Sequence, residues 1–134
     1  MRRLLALTCL SMCPLAVTAC GTTTSTAGFK GAEHNVAQTI ANLQADITAG
    51  EQKKVCANDL AAAVVRSLGG TKGCETTIKA QIGEIDSTEL KVESVKVNGE
   101  KATAIVKSVY KGKKRLQTVS FVKEGGKWKV VSLP

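Results

Sequence analysis

Few side chains in this sequence could do acid–base or metal chemistry. His34 is the single histidine, and Asp46, Asp59 and Asp86 stand at no spacing from it that predicts a proton relay. We find no Ser/His/Asp set, no phosphate-binding glycine loop and no cluster with metal-ligand spacing in the sequence. We therefore predict no catalytic residues, no metal site and no cofactor, so that an enzyme is not the favoured class.

The N-terminus has the order of a secretory signal. A short positive segment, Met1–Arg3, precedes an uncharged and mostly apolar stretch over residues 4–17. The ending Val17-Thr18-Ala19-Cys20, followed by glycine, resembles the bacterial lipobox, in which the cysteine becomes the new N-terminus and is diacylated. The alternative is an uncleaved transmembrane anchor, but the stretch only just reaches spanning length, about 17 residues. We predict cleavage after residue 19 and lipidation of Cys20.

The remaining cysteines are informative once the signal is set aside. Cleavage removes Cys9 and Cys13, and lipidation uses Cys20, which leaves Cys56 and Cys74 as a pair. Paired cysteines in an exported domain are typical of a disulfide, because the compartment is oxidising. Their separation does not fit a redox CxxC motif, and two thiols with one remote histidine do not make a tetrahedral metal set. We predict a structural disulfide.

The predicted cleavage divides the chain into three segments. Residues 1–19 form the lipoprotein signal peptide. Residues 20–31 carry the lipidated cysteine and a flexible tether rich in Thr, Ser and Gly. Residues 32–134 form one folded domain, for which this length is sufficient. The expected location is extracytoplasmic, on the cell membrane.

Positive charge is concentrated in the C-terminal part of the chain. After cleavage the net charge is +6, made of −1 over residues 20–88 and +7 over residues 89–134. A cluster of four cations stands out: Lys111, Lys113, Lys114 and Arg115. It is either a solvated hairpin end that discourages edge pairing, or a contact for anionic lipid or an anionic envelope polymer. Nucleic acid is not an expected partner, because the chain is exported and has few aromatic residues for base stacking.

Apolar spacing predicts three helices in the first half of the domain. One set of apolar residues recurs at intervals of four, three and four, as on one helical face: Val36, Ile40, Leu43 and Ile47. Gly50 suits the end of this helix. A second helix is predicted from Glu51 to Leu68 and a third from Cys74 to Ile85. The predicted disulfide would join helices two and three.

From residue 88 onward the apolar period is two, which indicates strands. Three turn signals divide this part of the chain: Asn98-Gly99, Gly112-Lys113 and Gly125-Gly126. They predict a four-stranded antiparallel meander with strands over residues 88–97, 100–111, 114–124 and 127–133.

Two-residue turns fix an expected strand register. The predicted cross-strand pairs are Val95 with Ala102, Val97 with Glu100, Val106 with Val119, Ala104 with Phe121 and Phe121 with Val130. Leu90 and Val92 have the wrong parity for this arrangement. One extra residue near Glu93-Ser94 would restore it, so we predict a β-bulge there.

The alternation separates a concave face from an outer face. The concave face is largely aliphatic, and five of its residues are candidates for a pocket: Ser108, Tyr110, Gln117, Phe121 and Trp128. Packing roles are the alternative for Tyr110 and Trp128. The outer face is half apolar and would suit a partner or a second copy; its apolar residues are Ile105, Val109, Leu116, Val122, Val131 and Leu133.

A helical block followed by a long bent meander predicts an α+β fold. This order resembles the nuclear transport factor 2-like (NTF2-like) group, cone-shaped domains whose helices pack inside a curved sheet. The placing of Cys56 in helix two and Cys74 at helix three resembles small actinobacterial lipoproteins of this kind. The ending Gly-Gly-Lys-Trp-Lys-Val-Val at residues 125–131 resembles their last strand. A cystatin-like cone with one long helix is the alternative.

The resemblance implies either catalysis or ligand binding inside the cone, and dimerisation through the outer sheet face. Because the concave face carries almost no titratable group, we favour a lipid-anchored, envelope-associated binding module without a catalytic site. A small-molecule carrier, or an isomerase-like or dehydratase-like enzyme that uses the cone interior, is the second hypothesis. A structural lipoprotein that dimerises is the third.

Overall fold

A computed structural model describes residues 24–83, 89–110 and 112–132, with only the main chain for Tyr110. Helices pack on one curved antiparallel sheet, which confirms the α+β prediction. The helical elements are α1 (Gly31–Thr48), α2 (Gln52–Lys54) with its π-helical continuation (Val55–Asp59), α3 (Ala62–Ser67) and α4 (Gly70–Gly83). The strands are β1 (Glu89–Asn98), β2 (Lys101–Tyr110), β3 (Lys113–Glu124) and β4 (Lys127–Ser132). The predicted signal peptide and Cys20 lie outside these residues, as do Lys111 and Leu133.

Helix α1 packs along the sheet because one of its faces is apolar. Val36, Ile40 and Leu43 are almost completely buried, as the helical spacing predicts. The helix ends at Thr48, and Gly50 follows in the left-handed region at φ +70°. Glycine is the residue most often found in this conformation after a helix. The predicted first helix and its end are therefore confirmed.

The predicted second helix is wrong, because the chain divides it into separate pieces. After the π-helical turn, Leu60 and Ala61 are extended, with ψ of 144° and 147°. The main-chain N–H of Ala61 donates a hydrogen bond to the carbonyl of Val130 over 2.8 Å, so this short extended segment pairs with β4. A backbone bond to a distant strand leaves no trace in apolar spacing. Over residues 24–83, four helical segments therefore stand where three were predicted.

The four strands lie in chain order, and the third predicted turn is correct. Gly125-Gly126 joins β3 to β4, and Phe121 faces Val130. The first two turns are each displaced by one residue from the prediction, because Asn98 pairs with Lys101 and Tyr110 pairs with Lys113. The resulting pairs differ from those predicted: Val97 with Ala102, Val95 with Ala104, Ala102 with Phe121, and Ala104 with Val119. Glycine serves at either central position of a tight turn, so its presence does not set the register alone.

Moving a turn by one residue shifts the pairing by two, and this leaves every side chain on its predicted face. Val95, Ala104 and Val119 are accordingly buried. The predicted β-bulge is confirmed, since the register shifts between Val92 and Ser94 and leaves Glu93 as the extra residue. A bulge of this kind increases the local twist and bends the strand.

The predicted disulfide between Cys56 and Cys74 is present and joins the π-helical turn to α4. Both cysteines are buried in a continuous apolar cluster that fills the concave side of the sheet. Phe121 from β3, Val130 from β4 and Ile40 from α1 are among its most buried large side chains. Over the described residues, the centre of the cone is therefore packed with side chains.

Thr24, inside the segment predicted as a tether, is docked on the domain. It is 7% exposed, and its hydroxyl is hydrogen-bonded to the Gln44 side chain and to the main-chain oxygen of Leu90, the latter over 3.0 Å. The N–H of Leu90 donates to the same Gln44 side chain over 3.3 Å. Thr24 is therefore held against the domain, although it lies within the segment predicted as a tether.

Candidate functional site

The fold does not bring the five predicted pocket residues together. Ser108 donates a hydrogen bond to Gln117 over 3.2 Å near the β2–β3 turn. Trp128 faces Lys123 near the β3–β4 turn, six residues along β3 from Gln117 and so about 20 Å away. Phe121 lies between them in the core. The side chain of Tyr110 is outside the described part of the structure, although its main chain pairs with Lys113 near Ser108.

Three residues of the basic cluster lie next to the β2–β3 turn, and Lys111 is outside the described residues. Lys113, Lys114 and Arg115 are all exposed and follow one another on β3. Because successive strand residues point to opposite faces, the cations occupy both sides of the hairpin tip. Among the described side chains, the two ion pairs are Lys54–Glu51 and Lys91–Glu93, and neither involves this tip. The tip therefore presents positive charge to the solvent.

Apolar side chains adjoin the cations on the outer face of the sheet. Leu116 is 68% exposed and Ile105 is 43% exposed, on neighbouring strands. Together with Lys107 and Lys114 they border a shallow open depression of about 640 Å³. We call the residues Lys107, Lys113, Lys114, Arg115 and Leu116 the hairpin surface. It combines an exposed aliphatic group with cations, as membrane-contacting surfaces do.

The docked N-terminal segment reaches the domain at the same end as the hairpin surface. Thr24 is hydrogen-bonded to Leu90, Leu90 faces Ser108 on β2, and Ser108 faces Arg115 on β3. Two strand spacings separate Leu90 from Arg115, which is about 10 Å. The chain therefore enters the domain close to the basic hairpin.

A second cleft, which the sequence analysis did not predict, lies at the opposite end of the sheet. It has a volume of about 660 Å³ and is bounded by α1, the π-helical turn and the β3–β4 hairpin. The wall from α1 is polar: Asn35, Gln38, Thr39, Asn42 and Asp46. The facing wall carries Asn58, Asp59, Lys123, Lys127 and Trp128. We call this space the polar cleft.

Asp59 is the unusual residue of the polar cleft. It is 3% exposed, and its Oδ2 atom has no hydrogen-bond partner. Burial raises the pKa of the Asp59 carboxyl from 3.8 to about 7. The neighbouring Asp46 adds to the rise through its negative charge and a side-chain hydrogen bond, and Lys129 opposes it. A buried carboxyl that lacks some of its hydrogen bonds lowers the stability of a fold. Such groups are more frequent at functional sites than elsewhere.

Neighbouring contacts hold the facing wall of the polar cleft in place. The Lys129 ammonium group donates hydrogen bonds to the main-chain oxygens of Ala57, over 3.3 Å, and Asn58. Glu124 accepts a hydrogen bond from the main-chain N–H of Ala62 over 3.1 Å, at the start of α3. The Lys123 ammonium group lies 6.0 Å from the centre of the Trp128 ring. The π-helical turn that carries Asp59 is therefore attached to β4 through the Lys129 side chain.

The sequence contains one signal for this site, and it is not a motif. Asp59 interrupts the mostly apolar run from Val55 to Val65, where an acid is unexpected unless it is solvated or functional. Its partner Asp46 lies thirteen residues earlier, a separation that matches no motif. Among the described residues, no group of three His, Cys, Asp or Glu side chains is placed to hold a metal ion.

Comparison with known proteins identifies the fold but no family. No family model and no curated protein matches the sequence. A crystal structure from Campylobacter jejuni, of a protein described as an NTF2-like transpeptidase, matches with a TM-score of 0.50 and 16% identity, over 74% of this chain and 99% of that one. An NTF2 design matches with a TM-score of 0.49 and 15% identity, over 72% of this chain and 92% of that one.

The chain therefore has an NTF2-like fold, a cone of helices within a curved antiparallel sheet, as the order of its elements predicts. At this level of identity the similarity concerns the fold alone. Within the described part of the chain, no helix is both long enough and apolar enough to cross a bilayer.

Proposed function

We propose that the protein is a lipid-anchored extracytoplasmic binding module that rests its β2–β3 hairpin on the anionic headgroups of its own membrane. The observation that carries the proposal is the attachment of Thr24 to Leu90, at the end of the sheet that bears the hairpin surface. Cys20, the predicted site of lipidation, precedes Thr24 by four residues and so lies within about 14 Å of it. A lipid on Cys20 would hold Arg115 within about 25 Å of the bilayer.

The chemistry of the hairpin surface supports an anionic lipid as its partner. Cations on both sides of a tip suit a tip-first approach, in which each contacts a different headgroup. Each Lys or Arg near an anionic membrane contributes about 1 kcal/mol of binding free energy. Leu116, already 68% exposed, could enter the headgroup region without loss of packing.

The packed interior argues against a small-molecule carrier or an enzyme that uses the inside of the cone. A carrier or an isomerase that worked within the cone would need an open cavity among residues such as Ala104, Val119 and Phe121, and these are buried in the core. An envelope polymer and a second copy of the chain remain as competing occupants of the hairpin surface. The experiment below separates them from the membrane.

Vesicle sedimentation tests the proposal. In a Cys20→Ala background, which removes the lipid, the chain should bind phosphatidylglycerol vesicles at low salt and not phosphatidylcholine vesicles. Replacing Lys113, Lys114 and Arg115 by Ser should weaken this binding about 100-fold, from about 1 kcal/mol for each charge. A control that replaces three exposed helical lysines by Ser should bind nearly as before: Lys53, Lys72 and Lys79.

Two results would contradict the proposal. One is equal weakening in the helical control, because binding would then depend on net charge and not on the hairpin. The other is a hairpin variant that keeps its vesicle binding but no longer sediments with purified wall polymer, or no longer dimerises in light scattering. The hairpin surface would then belong to one of the competing partners.

A further inference from the structure

The polar cleft is independent of the hairpin surface. Lys114 and Lys123 are nine residues apart on β3, which places these two lysines about 30 Å apart along the strand. The part of the polar cleft formed by Lys123, Lys127 and Trp128 lies at the β3–β4 turn, at the end of β3 opposite the hairpin surface. Its volume of about 660 Å³ lies within the range of small-molecule sites, roughly 300–1000 Å³.

The charges of the polar cleft are arranged in two groups. Asp46 and Asp59 lie where α1 meets the π-helical turn, and Lys123 and Lys127 lie on the β3–β4 hairpin. An anion alone would meet the repulsion of two carboxyl groups, and a cation alone would meet that of two ammonium groups. A ligand that carries both charges satisfies both groups.

The unpartnered oxygen of Asp59 indicates which ligand group binds deepest. Asp59 lines the cleft, and its buried Oδ2 atom accepts no hydrogen bond within the protein. An ammonium group offers three donors, enough to reach Asp59, Asp46 and a side-chain amide at the same time. The amides of Asn35, Gln38 and Asn42 line the adjacent wall and can both donate to and accept from a peptide group.

We propose that the polar cleft binds a small zwitterionic amino compound, of the class of amino acids and short peptides. Asp59 and Asp46 receive the ammonium group, and Lys127 with Lys123 receives the carboxylate. The side-chain amides of α1 contact the atoms between the two ends. The proposal does not depend on lipid anchoring or on the hairpin surface.

Binding of an ammonium group requires an ionised Asp59, which predicts a pH dependence. The groups that face Asp59 are Asp46 from α1 and Lys129 from β4, with Lys123 and Lys127 across the cleft. Because the pKa of Asp59 is about 7, a ligand must displace a proton below that pH. Affinity should rise about fivefold from pH 6 to pH 7.5, where a peptide α-ammonium group is still mostly protonated.

Titrations followed by ¹⁵N NMR of the full chain test the proposal with glycylglycine as the probe. Saturable shifts are expected at the amides of Asp46, Asn58 and Asp59 and at the Trp128 indole. N-acetylglycine, which lacks the ammonium group, and glycinamide, which lacks the carboxylate, should each bind at least tenfold more weakly. The absence of saturable shifts with glycylglycine, or equal affinity for N-acetylglycine, would overturn the proposal.

Variants locate the binding within the polar cleft. Asp59→Asn keeps the shape of the side chain and should reduce glycylglycine affinity at least tenfold while removing its pH dependence. Lys127→Gln should reduce affinity about threefold. Glu93→Gln, on the outer sheet face, is the matched control and should change nothing. An Asp59→Asn protein that binds as tightly as the parent would refute the assigned role of Asp59.

Discussion

The hydroxyl of Thr24 and the main-chain oxygen of Leu90 are 3.0 Å apart, although 66 residues separate them in the chain. This contact attaches the N-terminal segment to the first residues of β1, and Gln44 from α1 joins the two. The proposed lipid on Cys20 would therefore lie near the start of β1. The domain would therefore stand on the membrane in a restricted range of orientations.

Thr24→Val should lower the free energy of unfolding by about 1–2 kcal/mol, because the Leu90 oxygen loses a buried hydrogen-bond donor while the shape of the side chain is kept. Urea denaturation of the purified protein measures the change. Ser25→Ala is the control, since Ser25 is exposed and should change stability by less than about 0.5 kcal/mol. Equal stability of the Thr24→Val protein would show that the contact contributes nothing to the fold.

Mass spectrometry of protein extracted from the membrane fraction tests the predicted anchor. The mature N-terminus should be Cys20 carrying a diacylglycerol, and Cys20→Ala should move the protein out of that fraction. Cys13→Ala is the matched control, because Cys13 is expected to leave with the signal. A mature chain that begins elsewhere, or an unlipidated Cys20, would remove the basis for the membrane orientation.

Patterns with a fixed period were the predictable part of this fold. The spacing of Val36, Ile40 and Leu43 identified α1, and the parity change after Val92 identified the β-bulge. Both signals depend on which side a residue faces, and burial selects for that directly. The buried face of the sheet was correct for the same reason, even where the turn positions were not.

Features set by contacts between distant segments were not predictable. The interruption at Leu60 and Ala61 exists because a main-chain hydrogen bond to Val130 replaces a helical one. The polar cleft likewise requires α1, the π-helical turn and β4 to meet, and Asp46 and Asp59 share no sequence motif. The predicted register of the first two hairpins differs from the observed one because Gly99 and Gly112 fit either central position of a turn.

Removing the disulfide by replacing Cys56 and Cys74 with Ala should lower the free energy of unfolding by about 3 kcal/mol. The bridge closes a loop of 18 residues, and the main effect of its loss is greater freedom of the unfolded chain. Thermal unfolding with and without a reductant measures this in the parent protein. The thermal stability of the double variant should not change when the reductant is added. If the parent protein is equally insensitive to it, the bridge is not formed in solution.

The raised pKa of Asp59 predicts that the free energy of unfolding falls as the pH rises from about 4 to about 7. In that window the unfolded chain has released the proton and the folded chain still holds it, because the folded pKa is about 7 and the ordinary value is 3.8. The loss should reach roughly 2–4 kcal/mol, at about 1.4 kcal/mol for each pH unit. Asp59→Asn should be more stable than the parent at pH 7.5 and nearly equal to it at pH 4, in urea denaturation at each pH. Asp46→Asn removes the negative neighbour, so it should lower the pKa of Asp59 and with it the upper end of this pH window. If the free energies of unfolding of the parent and of Asp59→Asn change in parallel with pH, Asp59 is ionised throughout.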